Sequence, residues 1–231
     1  YLTADEQEVT VEYNETAEVA FENIEKTGEI KVTKTTVGNI NVSGITFNLR
    51  GTSDSGRDID IPAVTDENGV AIFSEIPIGT YTIYEDEKTV PTAYLVADPQ
   101  NVTVTYAETK EVPIENKEKT GSITVHKTTE GQKNIEGIKF YLRGTSDSGR
   151  AIDIPATTDK DGIAKFDGVP IGTYMVIEDE ETVPYGYLVA DEKEVKVEYA
   201  QTIDETILNN EQTGTVKVHK KTADMTNVEG I

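Results

Sequence analysis

Apolar and polar residues alternate along most of the chain in short runs broken by Gly, Asn, Asp and Pro. A period of two places residues i, i+2 and i+4 on one face of a strand. Thr, Val, Ile and Tyr fill these runs, the residue types that suit a half-buried pleated surface. The pattern predicts strands over 29–35, 45–50, 58–64, 70–73, 80–85, 102–106 and 111–116, and a second series displaced down the chain. No stretch holds a 3.6-residue period long enough for a substantial helix. The expectation is an all-β fold of immunoglobulin-like sandwich type.

The displacement is constant. Gly28, Gly121 and Gly214 each follow a Thr, and 121 − 28 and 214 − 121 are both 93; Arg50 and Arg143, and Tyr94 and Tyr187, keep the same offset. The chain divides into the tail of one repeat (1–28), two complete repeats (29–121 and 122–214, here units one and two) and the start of another (215–231). A repeat of this size is near the lower limit of a domain with its own core, so the units are beads and not thin solenoid layers. The two end pieces together hold too few residues to make a unit, and something outside this sequence is expected to complete them.

Asp and Glu number 43 against 21 Lys and Arg, a net charge of −22, which repels phosphate backbones and anionic lipid and argues against nucleic acid and membrane-surface partners. Cysteine is absent, so any covalent reinforcement must be something other than a disulfide. No apolar run is long enough to span a bilayer; Tyr1 opens within a strand-like pattern, and any targeting segment is expected to lie outside this sequence. Trp is absent and Phe scarce, which weakens a carbohydrate-binding surface.

The turn "DENG" (66–69) and its counterpart "DKDG" (159–162) read as hairpin connections; neither continues into the ligand spacing of a calcium loop. "LRGTSDSGR" occurs letter for letter at 49–57 and 142–150. Its small polar residues predict a tight connection, and the rival reading is a presented binding loop with Arg57 or Arg150 at its edge.

Polar residues also stand where a sandwich face is apolar. Lys34 shares a face with Ile30 and Val32, Lys127 with Ile123 and Val125, and Lys220 with Val216 and Val218. Glu85 ends the row Tyr81, Ile83, and Glu178 ends the row Tyr174, Val176. Asn116 aligns with Val112 and Ile114, and Asn23 with Val19 and Phe21. In unit two Asn209 aligns with Ile207, but Glu205 replaces the valine and a second amide, Asn210, is adjacent.

An unpaired buried Lys or Glu costs several kcal/mol, so these groups need partners. Two readings fit. One is a hydrogen-bonded buried cluster, or lysines that extend their amines to solvent. The other is chemical: desolvation lowers an amine's pKa and raises a carboxyl's, so a neutral lysine could attack an Asn carboxamide while the Glu moves protons, expelling ammonia and leaving an amide link.

The motifs "GEIKVTKTT", "GITFNLRG", "TDENGVAIF", "IPIGTYTIYE", "VPYGYLVAD" and "VPIENKEKTG", in this order, resemble the Cna B-type repeats, the prealbumin-like domains of Gram-positive surface adhesins and pilins. The resemblance covers both complete units and both ends. It implies a sandwich of about seven strands in which a first-strand Lys and a last-strand Asn join through an isopeptide bond assisted by a Glu. By position these are Lys34, Glu85 and Asn116, and Lys127, Glu178 and Asn209, with Asn23 and Lys220 in the incomplete units. "VPTAY" at 90–94 departs from the "VPYGY" of unit two, which affects a loop and not these residues.

The function expected is a structural stalk or fibre shaft on a Gram-positive cell surface. Neighbouring repeats are its partners, and any ligand is held by a tip domain outside this sequence. The rival is an adhesin that grips a surface through its twin GTSDSGR loops. No cofactor or metal is called for. No Ser-His-Asp set is present, and His126 and His219 each precede the inward lysine and so face outward; apart from single-turnover self-modification, no enzyme activity is expected.

Overall fold

The computed structural model describes residues 1–133, 135–220 and 223. Unit one holds seven strands: β1 (Thr27–Thr36), β2 (Thr46–Ser53), β3 (Asp58–Val64), β4 (Val70–Pro77), β5 (Gly79–Glu85), β6 (Gln100–Val104) and β7 (Thr109–Asn116). They form a three-stranded sheet in the order β4-β1-β7 and a four-stranded sheet in the order β3-β2-β5-β6. Unit two repeats this with β8 (Thr120–Thr129), β9 (Lys139–Ser146), β10 (Ala151–Thr157), β11 (Ile163–Pro170), β12 (Gly172–Glu178), β13 (Lys193–Val197) and β14 (Thr202–Asn209). Its sheets run β11-β8-β14 and β10-β9-β12-β13.

The cores follow from the alternation. In β1 every second residue from Ile30 to Thr36 is buried, and in β8 every second residue from Gly121 to Thr129. Ile30, Val32, Phe47, Leu49, Phe73, Tyr81, Ile83 and Val104 meet between the sheets of unit one, and Ile123, Val125, Phe140, Leu142, Phe166, Tyr174, Val176 and Val197 in unit two. All strand pairs are antiparallel except one in each unit. The last strand lies parallel to the first, with Lys34 opposite Ile114 and Thr36 opposite Asn116, and in unit two Lys127 opposite Ile207 and Thr129 opposite Asn209. A parallel pair between the first and last strands needs the rest of the unit as its crossover, which places chemistry from both chain ends at one edge of the core.

Two departures from the sequence pattern have simple causes. β2 and β9 run on through the Gly-Thr-Ser of the repeated motif, so the turn is only Asp54–Gly56 and Asp147–Gly149. Gly144 is in the strand because Tyr174 packs against it: a Cβ there would lie 2.9 Å from the Tyr174 ring. The first strands also begin earlier than expected, at Thr27 and Thr120. A Cβ on Gly121 would lie 2.5 Å from the Glu198 carbonyl and 2.8 Å from that of Gln201, both rigid backbone. Gly121→Ala should therefore destabilise unit two by about 3 kcal/mol, seen as an earlier melting transition for that unit while unit one keeps its own.

The strand expected in the first piece does not form. Residues 1–26 carry no strand, Val19 and Phe21 are exposed, and Asn23 is exposed with them, because no sheet lies beside the segment to bury its alternating face. Lys220 is likewise exposed and outside any strand. The "DENG" and "DKDG" turns are built on their first aspartates: Asp66 Oδ1 accepts from the Asn68 and Val70 amides at 2.9 and 2.8 Å, and Asp159 Oδ1 from those of Asp161 and Ile163 at 2.9 Å each. Among the described residues, no helix is long and apolar enough to cross a membrane.

Candidate functional site

Each core ends in a polar pocket built from both sheets. β1 delivers Lys34, β7 delivers Asn116 and β5, from the facing sheet, delivers Glu85; β8, β14 and β12 deliver Lys127, Asn209 and Glu178. Lys34 and Lys127 are each 2% exposed, Asn116 1% and Asn209 0%. The lysines have not carried their amines to solvent. Asn210, the neighbouring amide, is exposed, so the buried position belongs to Asn209.

In both units the glutamate holds the amide. Asn116 Nδ2 donates to Glu85 Oε2 at 3.0 Å, and Asn209 Nδ2 to Glu178 Oε2 at 2.7 Å. A backbone amide from the loop after the glutamate's own strand fixes the same oxygen: Ala97 N–H at 2.8 Å on Glu85 and Ala190 N–H at 2.9 Å on Glu178. In unit two the second carboxylate oxygen, Glu178 Oε1, lies 3.6 Å from Lys127 Nζ, with both side chains almost fully enclosed. One carboxyl group thus faces the amine with one oxygen and the amide nitrogen with the other.

The amines use what backbone is near. Lys127 Nζ donates to the Thr128 carbonyl at 2.6 Å and the Ile207 carbonyl at 3.1 Å, and Lys34 Nζ to the Thr35 carbonyl at 2.7 Å. Desolvation lowers the pKa of both lysines below the ordinary 10.5, opposed by the charge of Glu85 and then Glu115 for Lys34, and by Glu178 for Lys127. Among the described residues, the buried side-chain oxygens with no hydrogen-bond partner are Glu85 Oε1, Asn116 Oδ1, Glu178 Oε1, Asn209 Oδ1 and the Tyr94 hydroxyl. All but the last belong to these two pockets. A native core rarely leaves such groups unpaired.

Glu205, the residue out of pattern in unit two, sits at the rim of the sandwich and pairs with Lys193 at 3.5 Å. Its charge is answered outside the pocket, so Asn209 keeps its place. His126 faces outward as expected and lies 2.9 Å from Asp204 on β14.

The repeated GTSDSGR loops have partners that the sequence reading missed. Arg150 Nη2 donates to Glu118 Oε2 at 2.8 Å, and the Ser148 hydroxyl donates to Glu118 Oε1. In unit one Arg57 Nη1 donates to Glu25 Oε2 at 2.8 Å and the Ser55 hydroxyl to Glu25 Oε1. The signal was available: Glu25, Glu118 and Glu211 recur at the same spacing as the glycines, hidden among the charged residues between units.

Two seven-stranded sandwiches in tandem, each with a Lys and an Asn buried at one end of its core beside a Glu that is buried in unit two and half-buried in unit one, define a class of repeated β-domain. The model of the SpaA prealbumin-like fold domain matches residues 28–118 and again 121–213, and the chain belongs to that family. No curated protein matches the sequence. Among solved structures, the Bacillus anthracis TIE protein superimposes with a TM-score of 0.60 at 20% identity, over 80% of this chain and 34% of that one. The chain therefore spans about a third of that relative. GBS52, the minor pilin of Streptococcus agalactiae, gives a TM-score of 0.39 at 18% identity, over 84% of this chain and 100% of that one. The shaft pilin SpaA of Lactobacillus rhamnosus GG gives 0.35 at 18%, over 83% and 100%.

Proposed function

We propose that the chain is a stretch of stalk or fibre shaft from a Gram-positive cell-surface protein, with each complete unit locked by an internal isopeptide bond. The bonds join Lys34 to Asn116 and Lys127 to Asn209, with Glu85 and Glu178 as the proton-transfer groups. The observation that carries this reading is the enclosed pocket of unit two, where Glu178 faces the Lys127 amine with one oxygen and holds the Asn209 amide nitrogen with the other.

The chemistry balances within the pocket. The neutral amine, favoured by burial, attacks the Asn carboxamide carbon; a new C–N bond forms, the amide C–N bond breaks, and ammonia leaves. The glutamate takes the proton the amine sheds and returns one to the departing nitrogen, which it already holds by a hydrogen bond. Fixed geometry in a dry core supplies the effective concentration that lets a poor electrophile react once. No cofactor enters the balance. Family membership supports the structural role. Engagement of the loop Ser and Arg side chains by linker glutamates favours the stalk over an adhesin that grips through those loops.

Intact mass of the folded chain tests the proposal. The expected mass is the sequence mass less one ammonia for each complete unit. Glu178→Gln should keep unit two folded and abolish its loss alone, because the amide keeps the side chain's volume and an accepting oxygen but cannot move protons. A wild-type mass equal to that of the plain sequence removes the bonds; loss of both ammonias from the Glu178 variant removes the role of the acid.

A further inference from the structure

The three residues between β7 and β8 are held from both sides. The Leu95 amide donates to the Lys117 carbonyl at 2.9 Å and the Lys119 amide to the Ala93 carbonyl at 2.8 Å, so the linker lies as an added strand beside Tyr94 of unit one. From unit two, the Ile171 amide donates to the Lys119 carbonyl at 3.0 Å, and the Ser148 and Arg150 side chains grip Glu118. Unit one reaches across as well: Asn41 Nδ2 donates to the Ser148 carbonyl at 3.0 Å. The linker has no slack, and its central side chain, Glu118, is only 6% exposed.

Unit one contains the same clamp without a unit before it. Arg57 and Ser55 hold Glu25, but Ser55 is exposed where Ser148 is buried, and Glu25 is 20% exposed. The difference is what the Asn41 loop of a neighbouring unit covers. At the other end, Glu211 bridges Tyr187 in backbone register, as Glu118 bridges Tyr94, with its side chain exposed.

We propose that the GTSDSGR loop is the joint of the array: it clamps the linker glutamate ahead of its own unit and seats the Asn41-type loop of the unit before, fixing successive units at one angle. The exposed clamp on unit one is then the docking surface for a preceding copy of the repeat. Near-identity of the loops follows, since every joint must accept the same linker and the same neighbour. Glu118 is enclosed while Arg150 is partly exposed, so salt should weaken the joint less than it weakens a fully exposed pair. This inference stands whether or not the core lysines react.

Because the sequence has no cysteine, spin labels can be placed at Lys110→Cys on β7 and Glu194→Cys on β13, both exposed, one in each unit. Double electron–electron resonance on the two-unit chain should give one narrow distance. Glu118→Gln and Arg150→Ala should each broaden it into distances absent from the parent. Arg57→Ala makes the same change in the clamp that lies between no two units, and should leave the parent distribution intact. Asn41→Gly tests the seat separately: Asn41 has φ of +57°, which glycine adopts freely, and it lies outside both cores, so folding is kept even if an Arg150 variant loses it. A broad distribution in the parent overturns the proposal, as does a narrow one that survives both Glu118→Gln and Asn41→Gly, or broadening by Arg57→Ala equal to that by Arg150→Ala.

Discussion

Pulled from its two ends, the wild-type chain should show no full-domain extension from either complete unit. Tension enters unit one at the start of β1 and leaves at the end of β7, and these two strands are parallel neighbours in register from Glu29 to Thr36. A Lys34–Asn116 bond would carry the load from the first strand straight to the last, leaving β2 to β6 outside the force path. Released, the roughly 80 enclosed residues would lengthen the chain by on the order of 250 Å. Lys34→Ala should restore one such step, Lys127→Ala the other, and the double variant two. Two full steps from the wild-type chain at ordinary unfolding forces would defeat the stalk mechanism, since a shaft that unravels cannot hold its tip at a fixed reach.

Lys127→Met should lower the melting temperature of unit two by tens of degrees and leave unit one unchanged. Closing a loop of about 80 residues removes enough chain entropy from the unfolded state to be worth roughly 4–5 kcal/mol. For a domain of this size that corresponds to roughly 20–30 °C. Methionine fills similar space without an amine, so packing loss contributes little, and the Glu178 carboxyl keeps its hydrogen bonds to Ala190 and Asn209. Calorimetry should resolve two transitions where the parent shows units of similar stability. A shift of only a few degrees would mean that Lys127 is held by polar contacts alone.

The strands were legible because a sheet with one wet face writes its burial into every second residue, and the expected runs at 58–64 and 80–85 fall on β3 and β5 almost to the residue. The same rule put Lys34, Glu85 and Asn116 of the candidate site on inward rows, and the structure brings Asn116 to Glu85 across the sandwich. The rule failed where the partner was missing. Val19, Phe21 and Asn23 alternate as a strand should, but alternation describes a face and cannot supply the sheet that covers it. It also failed at Gly51–Ser53, where residues that usually make turns continue the strand, and Gly51 is demanded by the ring of Tyr81, against which a Cβ would lie at 2.9 Å. Glu118 was missed for a further reason: its burial depends on contacts from two domains, and only the repeat spacing it shares with Glu25 and Glu211, not its local pattern, marked it.

The pocket draws on three strands from two sheets and on a loop amide, at Ala97 or Ala190, that no strand supplies. Its members meet only in a unit whose sheets have closed upon each other and whose first strand has found its last. Under the proposed chemistry, reaction is then a permanent mark that the unit once reached its native arrangement. A molecule that later melts still bears the mark, and one that never folded does not. In a long array, the number of ammonias lost would count the repeats that had matured, giving each fibre a written history of its own assembly.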